Sequence, residues 1–153
     1  HPMILIPMKN IRHLTLLFIA TVAGALALPA KSQAGPKGGR LLETAPLPAE
    51  FFVTPDRQVE ITLYDAALQP VAPGTQTVAI IAEPASGRTT LELERTATGF
   101  VSKTALPAGE PYRVVVQMRA TPDAKPQNFR LDLNLAHCGE CSRAEYACTC
   151  EGH

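Results

Sequence analysis

Between Arg40 and Asn134 apolar and polar residues alternate in short runs. In QVEITLYD, Val59, Ile61 and Leu63 alternate with Glu60, Thr62 and Tyr64, a period of two that turns one row of side chains inward and the other towards water. The same period runs through Leu91 and Leu93 in RTTLELER, through Tyr112, Val114, Val116 and Met118 in PYRVVVQMR, and through Phe129, Leu131, Leu133 and Leu135 in NFRLDLNL. AEFFVT from Ala49 and TVAIIAE from Thr77 are more continuously apolar, as central strands are. Turn residues divide the runs at Thr54-Pro55-Asp56, Pro73-Gly74, Pro84 to Gly87, Pro107 to Gly109 and Pro122 to Pro126. No stretch carries a capped apolar stripe at helical spacing.

This pattern predicts an all-β chain, an immunoglobulin-like antiparallel β-sandwich of about seven or eight strands. There is no Trp and no cysteine inside the strands, so the antibody-type staple is missing and apolar strand faces must supply the core. The 14 prolines suit the blocking of strand edges. Tyr64, Tyr112 and Phe100 read as packing residues. Glu92 and Glu94 read as a solvated strand face, not as a catalytic pair.

Composition adds a boundary and an exclusion. The 153 residues carry 14 bases and 14 acids, so no basic field for nucleic acid exists. Met8-Lys9-Asn10-Ile11-Arg12-His13, the uncharged run Leu14 to Ala30 and the small residues up to Ala34 form the pattern of a secretory signal helix, cut after Ala34. The rival is a retained anchor, but the run falls short of the ~20 residues of a span. Residues 1–34 are thus upstream residues and signal peptide, residues 35–135 the sandwich, and residues 136–153 an irregular Cys-rich tail. After cleavage no membrane span is expected, and the mature chain has eleven bases against fourteen acids. Its location is read as periplasmic or secreted.

The tail holds all four cysteines of the chain: His137, Cys138, Cys141, Cys148, Cys150 and His153 lie within HCGECSRAEYACTCEGH. A C-x-x-C turn lets two thiolates converge on one ion while intervening amides donate to sulfur, and a return segment with Cys148 and Cys150 completes a tetrahedron. Four soft sulfurs suit zinc or Cu(I), not calcium or magnesium. Glu140, Glu145 and Glu151 add negative charge that attracts cations. His137 and His153 would be auxiliary or exchange ligands. Disulfides are the second reading, since a signal-bearing chain meets an oxidising compartment. A Cys148–Cys150 bridge would be strained, whereas pairings across the six-residue loop are easier. A redox thiol ranks third, because no βαβ unit offers a helix N-terminus to the C-x-x-C pair. A metal closed by four sulfurs has no open position, so the chain is read as non-enzymatic.

The mature N-terminus carries a Gly-Pro-x-Gly-Gly opening at Gly35, Pro36, Gly38 and Gly39, then Arg40, Leu42 and Glu43, the Glu50-Phe51 pair, and a turn from Tyr64-Asp65 to Pro70-Val71. These positions resemble bacterial periplasmic proteins linked to heavy-metal efflux. That group often has His where this chain has Lys37, so an N-terminal metal site is not carried over. The C-x-x-C and EYAC-x-C elements are similar to the tails of small secreted proteins of unassigned function. Periplasmic copper carriers use Met-rich ligand sets, and the single mature Met118 lies within a strand. The resemblance implies metal binding in envelope homeostasis or efflux, with an efflux or metal-trafficking protein as partner. The competing class is a non-catalytic structural or interaction module with a disulfide-locked tail.

Overall fold

The computed structural model describes residues 2–3 and 33–150, and the signal-helix segment lies outside them. Ten strands follow one another: β1 Gln33–Ala34, β2 Arg40–Leu42, β3 Ala49–Val53, β4 Val59–Leu63, β5 Thr77–Glu83, β6 Thr89–Leu91, β7 Leu93–Thr96, β8 Gly99–Ser102, β9 Tyr112–Arg119 and β10 Gln127–Leu133. They form two antiparallel sheets, one in the order β1-β2-β3-β4-β8-β7 and one in the order β10-β9-β5-β6. Among the described residues no helix is long and apolar enough to cross a membrane.

The period-two rows become the core. On β9 the buried Val114 and Val116 stand opposite Leu131 and Phe129 of β10, and opposite Ala82 and Ile80 of β5. Phe51, Ile61 and Leu63 contribute from the six-stranded sheet, and all three are buried. Apolar side chains of both sheets thus form one cluster, the dominant stabilising term at about 25 cal/mol per Å² of apolar surface removed from water. Tyr64, Tyr112 and Phe100 are all buried. Glu92 and Glu94 are exposed, and Glu92 lies 3.5 Å from Lys103.

The strand count exceeds the expected seven or eight partly because RTTLELER is two strands. The chain leaves the four-stranded sheet after Leu91, passes Glu92, and enters the six-stranded sheet at Leu93. Both leucines still turn inward to buried or half-buried positions, so the alternation survives a change of sheet that closes one side of the sandwich. On the other side, Gln127 at the start of β10 holds Ala45 in the segment after β2. The Ala45 N–H donates to Gln127 Oε1 and Gln127 Nε2 donates to the Ala45 carbonyl, both at 2.9 Å.

The Gly-Pro-x-Gly-Gly opening folds onto a buried acid. Glu50 is fully buried on β3. It accepts the Gly39 N–H at 2.7 Å, the Lys37 N–H at 3.0 and 3.1 Å, and the Tyr64 hydroxyl at 2.5 Å. Burial of a carboxylate is tolerated when donors satisfy it in this way. A Cβ on Gly35 would collide with the Glu50 carboxyl group, and one on Gly39 with the Phe51 carbonyl oxygen, so glycine is required at both places. Burial and the hydrogen bond to Glu50 push the Tyr64 hydroxyl well above its ordinary pKa, which keeps it a donor. The Lys37 ammonium points away from this knot, 3.0 Å from Glu60.

Candidate metal centre

After β10 the chain turns back on itself. His137 bridges Ala144, the Cys138 N–H donates to the Arg143 carbonyl at 2.7 Å, and the Glu145 N–H donates to the Ala136 carbonyl at 2.8 Å. Ser142 takes φ 60°, the left-handed residue that lets the C-x-x-C loop reverse direction. A single 3-10 turn at Glu145–Ala147 then carries the chain to Cys148 and Cys150. The segment is irregular, as its sequence suggests, but it is docked firmly. The Tyr146 ring meets Phe51 edge-on at 5.6 Å and 87°, and its hydroxyl accepts the Val53 N–H at 2.9 Å. Tyr146 and Ala147 belong to the same buried cluster as the strand residues.

This docking brings the four thiols together. The sulfur atoms of Cys138, Cys141, Cys148 and Cys150 all lie within 4.8 Å of one another, close enough to bind a metal ion. The Cys138–Cys148 separation is 3.2 Å, Cys141–Cys148 3.5 Å and Cys138–Cys150 3.9 Å. A tetrahedron with metal–sulfur bonds of ~2.3 Å has edges of about 3.8 Å, so small adjustments convert the observed cluster into a closed sulfur site. Among the described residues no disulfide joins them; Cys138 and Cys148 are buried and the other two half-buried.

Electrostatics divide the four into two kinds. The Glu140 amide, followed by the Cys148 thiol and the Cys141 amide, holds the Cys138 thiol below its ordinary value. The Arg143 amide brings Cys141 down to about 7. At Cys148 the Cys150 amide, 3.4 Å from the sulfur, pulls downward, but burial and the sulfurs of Cys138 and Cys141 outweigh it and push the thiol up. The Cys148 sulfur, then burial, pushes Cys150 up further. Amides of the C-x-x-C turn therefore stabilise negative charge on the first pair, while crowding keeps protons on the second. A soft cation replaces those protons and removes the repulsion.

Of the two expected histidine ligands, His137 alone lies among the described residues, and it stands apart from the sulfurs. His137 is exposed, outside the four-sulfur group, and lines a cavity with Phe52, Leu135 and Arg143. His153 lies outside the described residues. Among the acids expected to surround the site, Glu140 is exposed and Glu145 half-buried, and Glu151 is not among the described residues. Two contributors escaped sequence reasoning. Tyr146, which ties the cage to β3, sits among tail residues, and its one signal was an aromatic followed by Ala147 between two cysteines. Glu50 entered only as one of the positions of the resemblance, and nothing in its strand marked it as a buried, fully answered acid. No protein-family model matches the chain, and neither a curated protein nor a solved structure matches it.

Proposed function

We propose that this chain is a secreted or periplasmic metal-binding protein that holds zinc or Cu(I) through Cys138, Cys141, Cys148 and Cys150 and serves metal homeostasis or efflux in the cell envelope. The observation that carries this reading is the convergence of four sulfurs within 4.8 Å of one another. Thiolates at that spacing repel one another, and a soft cation is the partner that turns the repulsion into bonding. A signal-peptide pattern ahead of Gly35 supports export, and the likeness of residues 35–71 to efflux-associated periplasmic proteins supports the envelope role. In the same reading the two-sheet core is immunoglobulin-like, and an efflux or trafficking protein is the partner. His137 and His153 act as exchange ligands at the rim, and four sulfurs with no open position favour storage or transfer over catalysis.

The test is to isolate the chain anaerobically from its native compartment, measure bound metal by elemental analysis, and titrate thiols with and without chelator. One equivalent of zinc or copper, with thiols released only on chelation, is expected. Cys148→Ser with Cys150→Ser should abolish retention. Two disulfides and no stoichiometric metal would instead identify a disulfide-locked interaction module.

A further inference from the structure

Among the described residues the two sheets end at β1, β7, β10 and β6. Three of these edges are short, with two residues in β1, four in β7 and three in β6, and short edges resist pairing with other chains. β10 is different. It runs for seven residues, Gln127–Leu133, contains neither Pro nor Gly, and pairs with β9 at every position without a bulge. Alternation along an antiparallel ladder turns every second N–H and C=O of such a strand away from its neighbour. Among the described residues no backbone–backbone hydrogen bond outside the β9 ladder involves Asn128 to Leu133. The edge is held only at its ends, where Gln127 fastens Ala45 and the Tyr146 N–H donates to the Asn134 carbonyl at 3.2 Å. Beside Arg130, Leu131 and Asp132 the surface opens into a cavity of about 590 Å³, which Arg40, Arg113 and Cys148 also line.

The residues of this edge are matched in kind about Leu131. Arg130 is answered by Asp132, Phe129 by Leu133 and Asn128 by Asn134. Asn128, Arg130 and Asp132 are exposed, whereas Leu131 and Leu133 are buried and Phe129 is half-buried in the opposite row. Laid antiparallel against a copy of itself, with a twofold axis at Leu131, the strand sets Arg130 of each chain across from Asp132 of the other and Phe129 across from Leu133. Residues so opposed have Cβ atoms about 5 Å apart, within reach of an ion pair. An axis one residue away fails: at Arg130 it opposes two guanidinium groups, and at Asp132 two carboxylates. A pairing shifted by half that step sets the exposed row of one chain against the buried row of the other. Within one chain, Asp132 already stands opposite Arg113 on β9, and Arg130 opposite Val115. In the pair each Asp132 therefore sits between Arg113 of its own chain and Arg130 of the copy.

We infer that two copies of this chain associate edge to edge through β10, joining their four-stranded sheets into one sheet of eight strands about a twofold axis at Leu131. The contact is isologous: the same residues, 129–133, serve both sides, and the charge pair is made twice. Five residues a side make a small contact, so association is reversible and concentration-dependent. The inference does not depend on the metal reading.

The test is sedimentation velocity on the reduced chain isolated from its native compartment, over a wide range of concentration and with chelator present. A monomer–dimer equilibrium is expected, and hydrogen exchange at residues 129–133 should slow as concentration rises. Arg130→Asp and Asp132→Arg should each weaken self-association by roughly thirtyfold, because each turns two attractive pairs into two repulsive ones. Both positions are exposed, so circular dichroism should be unchanged. An equimolar mixture of the two single variants should form a mixed dimer, and the double variant Arg130→Asp, Asp132→Arg should regain most of the wild-type affinity. Glu94→Lys, on the exposed edge strand β7, should leave association as it was. A chain monomeric at every concentration, single variants that associate like wild type, or a mixture that stays monomeric would overturn the inference. A dimer seen only without chelator would overturn it too, by showing that a bridging metal joins the copies.

Discussion

At Glu50 a buried carboxylate meets N–H groups from Lys37 and Gly39 and a hydroxyl from Tyr64, all supplied by the chain. Linked to it through Phe51 and Tyr146, four sulfurs lie within 4.8 Å of one another, with backbone amides serving mainly Cys138 and Cys141. The first group is complete without any visitor, and its glycines leave no room for one. The second is incomplete, because burial and the neighbouring sulfurs outweigh the one amide at Cys148 and push the Cys148 and Cys150 thiols up. A polar cluster that satisfies itself builds structure, whereas one that leaves like charges facing each other is arranged for a ligand from outside.

The largest test of this contrast is metal removal. At free zinc a thousandfold above the dissociation constant, binding to the folded state alone adds about 4 kcal/mol. Chelation should therefore lower the urea midpoint of the reduced wild-type chain strongly, and the Cys148→Ser, Cys150→Ser variant should show no metal dependence. A midpoint indifferent to chelator would show that the cage does not need its cation. Glu50→Ala comes next. It strands buried donors at Lys37, Gly39 and Tyr64, so a loss of about 3 kcal/mol in urea unfolding is expected with metal stoichiometry unchanged. Loss of metal together with stability would mean that the two groups are one unit.

Tyr146→Phe probes the link between them. It keeps the ring against Phe51 but removes the acceptor for the Val53 N–H, and should cost about 1 kcal/mol and raise the rate of metal loss to a competing chelator. An unchanged rate would show that the cage does not feel its anchor. The smallest effect belongs to His137→Ala. As an exposed residue outside the sulfur group, it should change stability by under about 0.5 kcal/mol and leave the equilibrium metal content intact. A loss of bound metal would place His137 in the coordination sphere.

Much of the architecture was legible because period two has one physical meaning. Phe129 to Leu133 alternate in sequence and again between core and surface, and in Val59 to Leu63 and Tyr112 to Met118 the inward row is buried as expected while Thr62 and Val115 of the outward row are buried as well. The break at Glu92 was not legible, since Leu91 and Leu93 face inward whichever sheet pairs their backbones. β8 was missed because Gly99 to Ser102 is short and begins with a glycine, which close approach to the Ile61 carbonyl requires. At the site, cysteine spacing identified the four sulfurs, but it said nothing of where the histidine beside them would point.

Local chemistry along the chain determined the strand rows, the turns and the set of sulfur ligands, because side-chain alternation and a C-x-x-C loop act over a few residues. Only the tertiary structure decided that Glu50 is buried and answered, that Tyr146 belongs to the core, and that Arg40, Arg113 and Arg130 share a cavity with Cys148. Each of those outcomes joins residues far apart in the chain. It depends on which strands pair and where the edges meet, and burial and charge compensation across such distances leave no periodic trace in the sequence.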